Sequence, residues 1–159
     1  MSPQNLIVRY LDEARLMQVA TCAGAQPWCA TVYFAHDNIH NLYWISDSGA
    51  RHSFELVRNE RVAGAIVLPQ TYGQPPQGIQ FEGIAREITD PQEIAQLSMA
   101  YAQRYGRSNI AAELTQPGTT RRLYQIKPTE FTLFDQADFP GNPRQTWQPA
   151  PYGVEPQPS

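Results

Sequence analysis

Three short runs rich in apolar residues lie between residues 16 and 46: "LMQVATC" (16–22), "WCATVYFAH" (28–36) and "IHNLYWIS" (39–46). Only "AGAQP" (23–27) and "DN" (37–38) separate them. Links this short cannot carry a crossover helix, so successive strands must turn back antiparallel. The runs are also rich in β-branched and aromatic residues, and the links hold turn-forming residues. The spacing therefore predicts an antiparallel meander, which limits what the rest of the chain can build.

Further along, the same pattern returns. "RVAGAIVL" (61–68) reads as a buried strand, and "IQFEGIAREI" (79–88) alternates as a half-buried strand does, with Gly83 marking a bulge or a close approach. "RRLYQIKP" (121–128) and "EFTLF" (130–134) read as two closing strands, and "PQTYGQPPQG" (69–78) as a loop. Helices are few. Ser2 and Pro3 start one over residues 3–15, whose Leu6, Ile7, Tyr10, Leu11 and Ala14 recur at helical spacing. "HSFELVRN" (52–59) predicts a short helix, and Asp90, Pro91 and Glu93 begin another that runs to about Tyr105. Six or seven short antiparallel strands with few helices predict a mainly β fold, a closed or partly open barrel. Residues 1–134 form its single domain. Residues 135–159 form a proline-rich tail expected to wrap over a surface, its last ten residues loose.

Composition narrows the function. A net charge of −3 and a pI near 5.6 lack the basic excess that nucleic acid or an anionic membrane requires. No run approaches the roughly 18 apolar residues of a spanning helix, and the N-terminus lacks a signal-peptide pattern. The expectation is a cytoplasmic protein. Two cysteines, Cys22 and Cys29, are too few for a disulfide framework. They flank the 23–27 turn, where they could face each other across a hairpin, and read as small buried residues. His36 and His40 flank a tight turn with no further ligand at metal spacing, although one histidine suffices for haem. The common nucleotide-fold and hydrolase motifs are absent.

One stretch carries a chemical hint. "SDSGARHSFEL" (46–56) places serines, a glycine, Arg51 and His52 where a strand gives way to a helix. Main-chain N–H groups and the positive helix end suit a phosphate there, and an arginine adds a charge-assisted contact. The plain alternative is an ordinary helix start with solvated basic residues.

Taken in order, an N-terminal helix, "LMQVATCAGAQPWCATVYFAHD", "LYWISDSGARHSFELVRNERVAGAIV" and "GIQFEGIAREI" resemble the FMN-binding split barrels related to pyridoxamine 5'-phosphate oxidase. Within that group the chain looks like a small bacterial subfamily of uncharacterised members. The likeness spans residues 3–134, with an echo in the tail. It implies a homodimer with FMN in the groove between subunits. It implies ring contacts from the second-strand main chain at Cys29, Ala30, Thr31 and Val32. For the phosphate it implies Ser46, Ala50, Arg51 and His52, with His52 standing where relatives keep lysine or arginine. A histidine charge is removable near pH 6.5. Gln80 is the implied polar contact beside the ring, although the oxidase has its glutamine nearer the position of Gly78. Phe139, Arg144 and Trp147 in the tail would reach the partner's flavin.

Departures from the family concern the substrate. Phe34 stands where the oxidases have a substrate-phosphate lysine, and the tail has no Arg-x-His triplet. Arg104 and Ser108 keep a spacing that resembles part of the substrate-phosphate site. The resemblance thus implies an FMN-dependent oxidoreductase transferring hydride or electrons to or from an unidentified small molecule, not pyridoxamine phosphate. The alternative is a non-enzymatic binding protein of the same fold, holding haem, sensing flavin or lacking a cofactor.

Overall fold

The computed structural model describes residues 1–149. Twelve elements follow one another in this part of the chain: α1 (Pro3–Glu13), β1 (Leu16–Cys22), β2 (Pro27–His36), β3 (Leu42–Asp47), α2 (Arg51–Arg58), β4 (Arg61–Val67), β5 (Gln77–Ile88), α3 (Pro91–Leu97), α4 (Met99–Tyr105), α5 (Ile110–Thr115), β6 (Arg121–Asp135) and β7 (Arg144–Trp147). The strands lie in the order β3-β2-β1-β4-β5-β6-β7, every neighbouring pair antiparallel, and β3 also pairs with β6. That pairing closes six strands into a barrel with β7 added outside, the mainly β split barrel expected.

The interior follows from alternation. Met17, Val19, Phe34, Trp44, Ile66, Ile79, Phe81, Tyr124, Phe131 and Leu133 point inward and are at most 4% exposed. Helix α1 packs Leu6, Ile7, Tyr10 and Leu11 into the same cluster. Its start is as expected, with Ser2 Oγ accepting from Asn5 N at 3.2 Å. It ends at Glu13 because Leu16 must already lie in β1. A second cluster sits outside the barrel, where α3, α4 and α5 cover Tyr43, Ile45, Ile88 and Leu123.

Several boundaries differ from the sequence reading. The third strand begins at Leu42, because Asp37 Oδ1 gathers Ile39 N (3.0 Å) and Asn41 N (2.9 Å) into a turn with His40 at φ 68°. The helix expected from Pro91 to Tyr105 is broken at Ser98 into two pieces that pack differently, α3 against α5 and α4 against β2 and β3. Helix α5 escaped the sequence reading. The two expected closing strands are one strand, β6, which passes through Pro128. Proline is tolerated because it faces Gly83 across a register shift, where the ladder is already irregular. That shift is the bulge Gly83 suggested. A Cβ there would lie 2.5 Å from Lys127 O.

Cys22 and Cys29 do not oppose each other. The register sets Cys29 against Ala20 and Cys22 against Pro27. Both thiols are free and neither is buried, since both positions alternate onto the outer face. The tail from Asp135 partly returns to its own barrel. Trp147 lies opposite Phe131 and stacks on it at 5.8 Å, and Phe139 packs against the core. The ten residues expected to be loose, 150–159, lie outside the described residues. Among the described residues no helix is long and apolar enough to cross a membrane.

Candidate functional site: the split between β2 and β3

The barrel is open along one seam. Strand β2 pairs with β1 throughout Pro27–Tyr33, but with β3 only at Phe34–His36. Ile45, Ser46 and Asp47 of β3 pair only with β6. The first part of β2 and the end of β3 therefore form two lips without a ladder between them. Helix α2 packs on β1 and β2 at this place.

Alternation decides which groups of β2 face the split. Phe34 N donates to Arg15 O, so Phe34, Val32 and Ala30 belong to the residues bonded to β1. The main-chain N–H and C=O of Cys29 and Thr31 are then directed at the open side. Of the four expected ring-contact residues, Cys29 and Thr31 present main chain to the seam. Ala30 and Val32 use theirs in the ladder and pack their side chains against the core.

The polar turn is less available to an anion than its sequence suggested. Ser48 N donates to Thr120 O and Ala50 N to Asp47 O, while Gly49 N donates to Asp47 Oδ1 at 2.7 Å. Thr120 Oγ1 donates to Asp47 Oδ2 at 2.6 Å. These bonds, Thr120 first, hold the Asp47 carboxyl below its ordinary range. What remains is the start of α2. Ala50 is its N-cap and supplies no side-chain bond. Among the described residues the amides of Arg51 and His52 have no partner, as first-turn donors lack one within a helix.

Arg51 is held on two sides. Its Nε donates to Glu55 Oε1 at 2.9 Å, and its guanidinium carbon lies 4.4 Å from the centre of the Trp28 ring. Its side chain is 44% exposed, and among the described residues neither Nη has a partner. Glu55 Oε2 accepts from Thr21 Oγ1 at 2.5 Å. Bonds from Thr21 and then Arg51 keep the Glu55 carboxyl below its usual range.

His52 lies at the inner side of this junction. It is 5% exposed, with Nε2 2.9 Å from Ser46 Oγ and Trp44 and Tyr124 edge-on at 6.2 and 6.3 Å. Burial pushes its pKa below the ordinary histidine value, with Glu55 opposing. Burial thus disfavours the charged form of the ring that a phosphate contact at this position would use. Tyr124 OH donates to Ser53 Oγ at 2.8 Å, and Ser53 Oγ donates to Asp47 O at 2.9 Å. These bonds fix the turn and the aromatic wall together.

The remaining candidates fall elsewhere on the chain. Gln80 is exposed on the outer face, in the cross-strand row Thr31–Gln18–Ala65–Gln80–Thr132. Three strand spacings separate it from Thr31, roughly 14 Å. It borders a shallow concavity with Arg144. Gly78 cannot be replaced by a glutamine in place, since a Cβ would lie 2.7 Å from Ile66 O and 2.8 Å from Phe134 Cζ. Trp147 is half-buried between Phe131 and His40. Arg104 is engaged with the end of α1. Its Nη2 caps α1, donating to Leu11 O (2.8 Å), Asp12 O (3.2 Å) and Ala14 O. Phe34 is core. Among the described residues no three His, Cys, Asp or Glu side chains gather into a metal site.

Sequence reasoning missed Thr21, Trp28 and Glu55. Only the i,i+4 spacing of Arg51 and Glu55 was a readable signal.

The family model for pyridoxamine 5'-phosphate oxidase matches residues 5–135, which includes the whole seam. A UPF0306 protein of Yersinia enterocolitica is 27% identical over 135 residues, covering 83% of this chain and 89% of its own. Solved structures agree in fold. The heme storage protein HutZ from Vibrio cholerae has a TM-score of 0.62 at 20% identity, over 80% of this chain and 91% of that one. An FAD-binding protein from Mesorhizobium loti has a TM-score of 0.63 at 17% identity, over 82% and 92%. With its barrel, its seam and most of its length accounted for by this match, the chain belongs to the pyridoxamine 5'-phosphate oxidase family.

Proposed function

We propose that this protein binds FMN at the β2–β3 seam and acts, as a cytoplasmic homodimer, as an oxidoreductase on a small molecule. One observation carries the reading: an unpaired strand edge, Cys29 to Thr31, lies beside the uncapped start of α2, where Arg51 keeps both Nη groups available. The residues fit the group. The two free amides of α2 and the Arg51 guanidinium suit a terminal phosphate. The β2 edge offers an alternation of donors and acceptors suited to the polar rim of a flavin ring. When bound, the flavin supplies hydride or electron transfer. The chain orients it through Cys29 and Thr31 main chain, counters its phosphate charge with Arg51, and excludes water with Trp28.

A second copy completes the site. Gln80 and Arg144 lie too far round the barrel to border the seam of their own chain. The uncovered outer face between them carries Ala20, Cys29, Ala63, Ala65 and the exposed Leu16, Tyr33 and Val67. Small side chains and apolar exposure of this extent suit burial against an identical face. The FAD-binding and heme-storage neighbours support cofactor binding on this fold and frame the alternative, a non-enzymatic haem or flavin carrier.

The test is the absorption spectrum of the purified protein, with FMN added where needed. Two flavin bands and anaerobic bleaching by NADH or NADPH support the oxidoreductase. Flavin bands without bleaching by any donor favour a carrier or sensor. A Soret band in place of flavin favours the haem reading, and a colourless protein that takes up neither cofactor overturns both.

A further inference from the structure

Arg51 does not stand alone. It lies four residues before Glu55 on α2, so the two side chains share one helix face. Glu55 is 7% exposed and Thr21, on β1, is 2% exposed. The carboxylate accepts from both, Thr21 Oγ1 at 2.5 Å and Arg51 Nε at 2.9 Å. Trp28, on β2, covers the guanidinium face at 4.4 Å. Thus a barrel strand holds the carboxylate, the carboxylate holds the Nε edge, and the indole holds the plane. Only the Nη edge is left to a ligand.

We propose that Glu55 is a positioning residue: anchored by Thr21, it fixes the Arg51 guanidinium with its Nη edge presented to an anionic phosphate group. The inference rests on the seam being a phosphate-bearing flavin site and names how that site is prepared. Two effects of Glu55 oppose each other. Its negative charge weakens attraction for an anion, whereas fixing a long side chain in advance removes ordering entropy from binding. The carboxylate lies on the Nε side, with the guanidinium between it and the open edge. Its charge is also matched by two hydrogen bonds. Preorganisation therefore outweighs repulsion.

The two effects separate by mutation. FMN and riboflavin differ by the phosphate, so the ratio of their dissociation constants isolates the contribution of the phosphate site, and its change on mutation reports the share that passes through Arg51. Glu55→Gln keeps an acceptor for Nε but loses the charge. Glu55→Ala loses both. Preorganisation predicts that Glu55→Ala reduces the FMN preference roughly five- to tenfold, with riboflavin affinity unchanged, while Glu55→Gln stays within about twofold of the unaltered protein, since one charge-assisted bond and its geometry contribute on this scale. Thr21→Val, which frees the carboxylate, reduces the preference in the same direction, and it decides the matter if Glu55→Ala does not fold. An FMN preference that is unchanged or raised in Glu55→Ala, or unchanged in Thr21→Val, overturns the proposal. Arg51→Ala is the separate control. If it leaves the FMN preference intact, the phosphate site itself is misplaced, whatever Glu55 does.

Discussion

The Nε2 of His52 lies 2.9 Å from the hydroxyl of Ser46, within a wall formed by Trp44 and Tyr124. A histidine at the mouth of an anion site invites a pH-dependent grip on the ligand. Burial instead disfavours the charged form of the ring and lowers its pKa. FMN affinity is therefore expected to stay flat between about pH 7 and 8.5, above the second phosphate ionisation near 6. Titrations following flavin fluorescence check this. A several-fold loss of affinity across that range would return His52 to the role of a charged ligand.

Acid should weaken the fold itself. Burial is the main cause that lowers the pKa of both His40 and His52. His36 adds to it at His40, opposed by Asp37 and Asp12. The unfolded chain then binds more protons than the folded one below the ordinary histidine value. Their contribution is complete above about pH 6.5 and is lost as pH falls toward the lowered folded values. Urea midpoints taken from pH 7.5 down to 5 should decline, and His52→Gln should flatten the decline. A level profile over that range contradicts the argument.

Asp135 is fully buried and ties three parts of the chain together. It accepts from Gln77 Nε2 at 2.8 Å, Asp138 N at 3.0 Å and Tyr10 OH at 3.3 Å. Its burial raises the carboxyl pKa and these bonds more than reverse that, leaving it lowered. The Tyr10 hydroxyl is pushed up to about 12, first by its own burial and then by Asp135. Asp135→Asn sets an amide donor against donors and should cost about 2–4 kcal/mol. Thermal or urea unfolding measures this, and a loss below about 1 kcal/mol would contradict the role given to the charge.

Arg104→Ala should destabilise the protein by about 2–3 kcal/mol while leaving FMN affinity unchanged, because it uncaps α1 and leaves the seam intact. The residue also covers the Phe34 ring at 5.2 Å. Loss of ligand affinity in a variant that remains folded would reopen its reading as a phosphate contact.

Gly64→Ala should be among the most damaging small changes. A Cβ there would overlap Gln18 O and the Phe81 ring, where β4 runs beside β1 and Phe81 fills the barrel. Overpacking against backbone leaves no rotamer to escape to, and a cost of at least about 2 kcal/mol is expected. Gly24→Ala makes a useful contrast. It meets nothing within 4 Å, and its φ of 91° is the only obstacle.

The β1-β2-β3 meander was legible because local rules decide it, whereas the β1–β4 and β3–β6 pairings were not. Short links between residues 16 and 46 force antiparallel neighbours, and alternation along β5 assigns its inner face. Ser2, Pro3, Asp90 and Gly83 behaved as their side chains, or lack of one, require. What could not be read from the residues arises between distant segments. Pro128 looked like a strand end until a bulge in β6, at Thr129 opposite the Glu82–Gly83 step, removed the need for its N–H. Ser98 broke a helix because its two halves pack on different surfaces.

At the seam the division is the same. The residues alone placed Ser46, Arg51 and His52 at a strand-to-helix junction, and the family resemblance added Ala50 and the edge of β2. Which of them carries charge outward depended on burial and on partners far away in sequence. Thr120 and Asp47 occupy the amides of the turn, burial beside Trp44 and Tyr124 disfavours the charged form of His52, and Thr21 on β1 anchors the carboxylate that holds Arg51. Desolvation and hydrogen-bond competition are properties of assembled neighbours, and only the closed barrel brings these neighbours together.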